Sequence, residues 1–141
     1  MHLSEAEKAL IQYSYAFLKP EVERVSGAFY ADLFNRMPKL RALFPDDMSG
    51  QGMRFMSAIG FVVENLDDNV QLNRHLNLLA KGHAPFKLRP DAYREMQEAL
   101  IDTITEALGA KFTNEIELAW RSAFDQICDA MIAESGTELV D

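Results

Sequence analysis

The sequence predicts an all-α protein, and three observations carry that prediction. Apolar residues recur at three- and four-residue spacing along most of the 141 residues. No alternating run of β-branched residues marks a strand. Capping residues, prolines and glycines fall where such helices would start and stop. The length suits one domain, 1–141, with a sizeable core, and the segment 135–141, "SGTELVD", reads as a frayed tail.

Each element follows from its own residues. "SEAEKALIQYSYAFL" opens with Ser4 and Glu7 at capping-box spacing, and Ala9, Leu10, Tyr13 and Phe17 form its expected apolar face. Pro20 ends it. "EVERVSGAFYADLFNRM" sets Val22, Val25, Phe29, Leu33 and Phe34 on one side. Pro38 opens a short turn, "PKLRALF", which Pro45-Asp46-Asp47 closes. "MSGQGMRFMSAIGFVVENL" predicts a third helix with Phe55, Ile59, Val62, Val63 and Leu66 buried. It is rich in small residues: Ser49, Gly50, Gly52, Ser57, Ala58 and Gly60. A glycine inside a helix costs about 1 kcal/mol against alanine, so another helix or a ligand is expected to come close to that backbone. "NVQLNRHLNLLAKGH" is a fourth helix ending near Gly82-His83. Pro90 fits the first turn of "PDAYREMQEALIDTITEALG" and Gly109 its stop. Thr113 or Asn114 caps the last helix, "NEIELAWRSAFDQICDAMIAE".

Composition excludes several function classes. The net charge is −8, with no stripe of Lys and Arg, which opposes binding to nucleic acid or an anionic membrane. No apolar run approaches the roughly 20 residues of a membrane span. "MHLSEAEKAL" lacks the basic-then-apolar order of a secretory signal. Cys128 is the single cysteine, so an internal disulfide is excluded and a reducing, cytoplasmic setting is expected. Its ordinary reading is a small core residue.

The chemistry-bearing residues are few. There is no nucleophile elbow, phosphate loop, Cys-x-x-Cys or His-Glu-x-x-His. Asp46-Asp47 and Asp67-Asp68 read as solvated turn residues. His75, among Asn73, Arg74 and Asn77, reads as a solvent-side residue. His83 differs because it closes an apolar helix. One imidazole cannot build a structural zinc site, but it can be the axial ligand of a haem, whose porphyrin supplies the other four nitrogens. Nine Phe, four Tyr and seven Met would suffice to line such a pocket, and would equally suit an ordinary core. From the residues alone, His83 is either that ligand or a cation favoured at a helix C-terminus.

In order and spacing the chain resembles a globin, over about Glu5 to Glu134. It is most similar to bacterial single-domain globins, relatives of the globin part of flavohaemoglobins. "FYADLFNRMPKLRALF" resembles the family's second helix and its following turn. "MSGQGMRFMSAIGFVVENL" resembles the distal helix, and "LLAKGHAPFKL" the proximal segment. "DAYREMQEALIDTITEALGAKFT" and "LAWRSAFDQICDAMI" resemble the last two helices. The resemblance implies a globin fold of about six to eight helices around haem b, iron protoporphyrin IX. It implies His83 as the ligand of the iron, Phe44 stacked on the haem, and Leu88 against its proximal side. It implies a distal pair, Tyr30 and Gln51, walled by Phe55, with Arg54 reaching a propionate. Tyr30 and Gln51 would offer hydrogen bonds to dioxygen carrying partial negative charge, each worth on the order of 1–3 kcal/mol.

Three departures accompany the match. In the family a tyrosine and a glutamate support the proximal histidine. Tyr93 matches the tyrosine, but alignment from Trp120 puts Ser135, not Glu134, at the glutamate's place, and one residue is about 100° of helix. Phe124 replaces an aromatic hydroxyl. Phe86-Lys87-Leu88 stands where the family has Tyr-Gly-Val, so a turn glycine is missing, and Pro85 is added. The expected function is reversible binding of dioxygen, carbon monoxide or nitric oxide, as monomer or homodimer. The alternatives are a nitric oxide dioxygenase, which would need a separate reductase because no flavin or nicotinamide segment is visible, and a gas-sensor module.

Overall fold

The computed structural model describes residues 1–135. The predicted frayed tail therefore lies outside the described residues, apart from the backbone of Ser135. Six α-helices follow one another: α1 (Glu5–Leu18), α2 (Val22–Arg36), α3 (Gln51–Glu64), α4 (Asn69–His83), α5 (Pro90–Leu108) and α6 (Asn114–Ser135). Short 3₁₀ turns cover Pro38–Leu43, Ala84–Phe86 and Gly109–Lys111. The described residues contain no strand, and none of their helices is long and apolar enough to cross a membrane.

Several helix ends are set by the residues that predicted them, and Asp68, read as a solvated turn residue, sets another. Ser4 accepts a hydrogen bond from the Glu7 amide at 3.0 Å, and Glu7 accepts one from the Ser4 amide at 2.7 Å. Asp68 caps α4 by accepting from the Gln71 amide at 3.1 Å. Thr113, rather than Asn114, caps α6 by accepting from the Ile116 amide at 3.2 Å. Pro90 sits in the first turn of α5 and Gly109 follows its last residue.

α6 packs against α1, α4 and α5, while α2 packs on α3 and α5. Trp120 anchors the core. Its indole N–H donates to Ser14 Oγ at 2.8 Å, and both side chains are fully buried. That bond corrects the expected face of α1. Tyr13 and Phe17 lie exposed in an edge-on pair, while Ile11, Ser14, Tyr15 and Leu18 are buried. The helix is apolar on two sides, and α6 takes the side that carries a hydroxyl for its indole.

The small residues of α3 answer to neighbouring helices. A Cβ on Gly60 would lie 2.7 Å from the Tyr15 hydroxyl of α1, and a Cβ on Gly52 would collide with Ser26 Oγ of α2. His75 is a second correction. It is half-buried rather than solvent-facing, its Nε2 is 3.2 Å from the Ala58 carbonyl, and its ring lies 4.4 Å from that of Phe61. It thereby ties α4 to α3. The main cavity opens between these two helices.

Candidate functional site

α3 and α4 form opposite walls of a cavity of about 290 Å³, floored by α2, α5 and α6. A second cavity of about 350 Å³ adjoins it and shares Leu33, Phe44, Gln51, His83 and Met96. Most of the lining is aromatic or aliphatic. Phe29 and Phe55 stack at 4.4 Å with their planes 8° apart, and Tyr30 sets its edge against Phe29, Phe44 and Phe55.

The sequence-predicted residues converge here. Tyr30, Phe44, Gln51, Arg54, Phe55, His83 and Tyr93 line the main cavity, and Leu88 lines the second with Phe86 and Pro45. On the α3 side, Gln51 Nε2 donates to the Tyr30 hydroxyl at 2.9 Å, and Arg54 Nη2 donates to Gln51 Oε1 at 2.8 Å. Burial raises the Tyr30 hydroxyl above its ordinary pKa, although the Gln51 bond and the Arg54 charge pull the other way. The hydroxyl therefore keeps its proton at neutral pH and can donate it. Arg54 is exposed and engaged with Gln51.

On the opposite wall His83 is the last residue of α4. Its Nδ1 lies 2.8 Å from the Leu79 carbonyl, one turn back. A carbonyl only accepts, so Nδ1 carries the proton and Nε2 keeps a lone pair. The ring is half-buried beside Tyr93, with centroids 6.5 Å apart. The Tyr93 hydroxyl is fully buried and has no hydrogen-bond partner among the described residues, and burial raises its pKa too. Glu134 is exposed and makes no bond to it. Phe124, which replaces the family's aromatic hydroxyl, lines the cavity with carbon alone.

Lys87 adopts φ 50°, ψ 45° directly after the Ala84–Phe86 turn. This is the left-handed conformation that the missing glycine would have taken without strain. Three cavity residues carried no sequence signal. Cys128 turns its Sγ toward the Tyr93 carbonyl at 3.7 Å, and burial, with the nearby Asp125 and Asp129, pushes its thiol pKa up to about 12. Gln97 sits one turn after Tyr93 on the same face of α5 and is buried at the cavity, and Met131 joins them from α6. Helical spacing alone does not say which of the two faces of α5 and α6 meets a cavity.

The pocket fits a haem on three counts. It is apolar and aromatic where a macrocycle would lie. It offers one imidazole whose free nitrogen is the one left for a metal. It offers polar donors on the opposite wall. Among the described residues no group of three or more His, Cys, Asp or Glu could hold a bare metal ion. A helical protein with an apolar, aromatic cleft between two helices and one imidazole in it is the class that fold and site define.

Comparison with known proteins supplies the family. The globin family model matches residues 27–131, and the chain belongs to the globin family. The chain is 29% identical over 133 residues to a flavohemoprotein of Bordetella pertussis, covering 92% of this chain and 33% of that protein. It thus spans about a third of the length of the flavohemoproteins it matches. It is 26% identical to a leghemoglobin of Psophocarpus tetragonolobus, covering 91% of this chain and 94% of that one. It is 25% identical to a globin-like protein of Aquifex aeolicus, with 92% of each covered. Among solved structures, an engineered carbene transferase described as a putative nitric oxide dioxygenase from Rhodothermus marinus superposes with a TM-score of 0.84. That match has 24% identity and covers 99% of this chain and 97% of the other, and it shows the fold alone. Globins bind haem and diatomic gases.

Proposed function

We propose that this chain binds haem b through His83 and reversibly binds dioxygen or another diatomic gas on the opposite wall of the pocket. The observation that carries the reading is the His83–Leu79 hydrogen bond. It fixes the tautomer and the ring orientation of the one imidazole in the pocket, and it raises its basicity as a ligand. When bound, the haem supplies an iron with a position open to a gas. The chain does the rest. Phe44, Phe55 and Leu88 supply apolar surface against the macrocycle and exclude water. Tyr30 and Gln51 supply hydrogen bonds to a gas that takes up negative charge, in a site where such bonds are worth more than in water. Tyr93 packs beside His83, and among the described residues no glutamate holds its hydroxyl, so the support given to the imidazole there is the Leu79 carbonyl.

A second reading, nitric oxide dioxygenase with a separate reductase, is favoured by the match to flavohemoproteins. Turnover of nitric oxide with an added reductase would promote it. The test of the first reading is His83→Ala. Alanine continues the helix, so the fold should survive while stable haem uptake is lost in titration with haemin. Haem retained with an unchanged spectrum would defeat the assignment.

A further inference from the structure

We propose that Arg54 fixes the polarity of the distal wall, turning it into a face of hydrogen-bond donors that selects ligands bearing negative charge over neutral ligands of similar size. The proposal rests on the haem-binding reading. It goes beyond it in naming the residue that sets ligand preference.

A guanidinium has donors and no acceptor. The Gln51 atom 2.8 Å from Arg54 Nη2 must therefore be the amide oxygen. The amide nitrogen then faces Tyr30, 2.9 Å from its hydroxyl oxygen. Tyr30 accepts from Gln51, so its own O–H is not spent on the amide. One N–H of Gln51 is used on Tyr30 and the other remains. The amide oxygen is turned to Arg54, so the two remaining donors, rather than the amide oxygen, face the cavity.

Without Arg54 nothing decides which way the amide turns. Turned over, Gln51 Oε1 would take the Tyr30 proton. The wall would lose its hydroxyl donor while keeping its shape. Arg54 is thus a positioning residue that acts through Gln51.

A second observation speaks against a merely structural role for Arg54. It lies in the first turn of α3, where exposed N–H groups already make the helix end positive and a cation is unfavourable. That turn has no acidic residue and no side-chain cap. The Arg54 side chain also folds back over the helix start, so that a Cβ on Gly50 would lie 3.5 Å from Nη1. No carboxylate pairs with it among the described residues. The cation sits where it weakens its own helix and orders a side chain of the pocket.

The test compares the haem-loaded protein with Arg54→Met and Arg54→Lys. Methionine keeps an unbranched stem and removes the donor, while lysine keeps a donor with no acceptor. Fluoride, which can only accept hydrogen bonds, probes the ferric form, and carbon monoxide probes the ferrous form. Arg54→Met should weaken fluoride about tenfold, the worth of one such bond, and change carbon monoxide affinity several-fold less. Arg54→Lys should restore most of the loss. Unchanged fluoride affinity, or equal loss for both ligands, would overturn the proposal. In the haem-free chain, NMR should show cross-peaks between the Gln51 side-chain N–H protons and the Tyr30 ring, absent in Arg54→Met. Their absence in the unaltered protein, or their persistence in Arg54→Met, would overturn it as well. Failure of the unaltered protein to take up haemin would defeat the haem-binding reading by itself, while those cross-peaks would still decide whether Arg54 sets the amide.

Discussion

Lys87 holds a left-handed backbone immediately after the turn that follows His83. An L-residue there gives up about 1–2 kcal/mol relative to right-handed backbone, whereas glycine does not. Lys87→Gly should therefore raise stability by about 1 kcal/mol in urea unfolding, after allowing for glycine's freer unfolded chain. A loss instead would show that the lysine side chain holds the turn. This strain was legible in the sequence as a missing glycine. So were Tyr30, Gln51 and His83, three polar residues that the fold brings to one cleft. Cys128 and Gln97 were not legible, because a small thiol and an amide on a helix look the same whether they face a core or a cavity. The orientation of Arg54 was not legible either. A sequence places it near the pocket, and only the geometry shows that its donor goes to Gln51.

At the scale of elements, glycine in α3 is explained by what approaches it. The Tyr15 hydroxyl, which donates to the Met56 carbonyl at 3.3 Å, lies where a Gly60 Cβ would go. Gly60→Ala should force that buried ring to shift and destabilise the protein by about 1–3 kcal/mol, the usual range for overpacking. A gain, as helix propensity alone would give, would mean that α1 and α3 separate freely. The sequence showed that something comes close here without showing whether it was a helix or a ligand. It misled about α1 for a related reason. Leu10, Tyr13 and Phe17 fit helical spacing as well as Ile11, Tyr15 and Leu18 do. The choice between the faces is made by Trp120, whose indole needs the Ser14 hydroxyl. His75 was misread in the same way, since polar neighbours in sequence say nothing of the Ala58 carbonyl across the helix pair.

The whole molecule carries a surplus of acid, and its acid stability depends on how those carboxylates are held. The Arg121 guanidinium binds Glu98 through two hydrogen bonds and keeps its carboxyl below the usual value of 4.5. The unfolded chain therefore takes up that proton at a higher pH than the folded one. The pair's stabilisation is present above pH about 4.5 and is lost as pH falls through the lower folded value. Its side chains are 28% and 41% exposed, so solvent screening keeps the contribution small. Unfolding curves of Glu98→Gln and the unaltered protein should differ at neutral pH and converge in acid. A difference that does not change with pH would assign the effect to packing. The order of the helices and several of their ends were readable, because caps, prolines and periodicity are local. The pocket they enclose depends on which faces meet, and that is a property of the folded whole.

The central claim is that this fold keeps a haem on His83 with a position open to a gas. Absorption spectra of the purified protein test it directly: after addition of haemin, after reduction with dithionite, and under carbon monoxide. The account predicts a strong Soret band that moves when carbon monoxide is added. No Soret band even in the presence of haemin, or a band that carbon monoxide leaves in place, would contradict it.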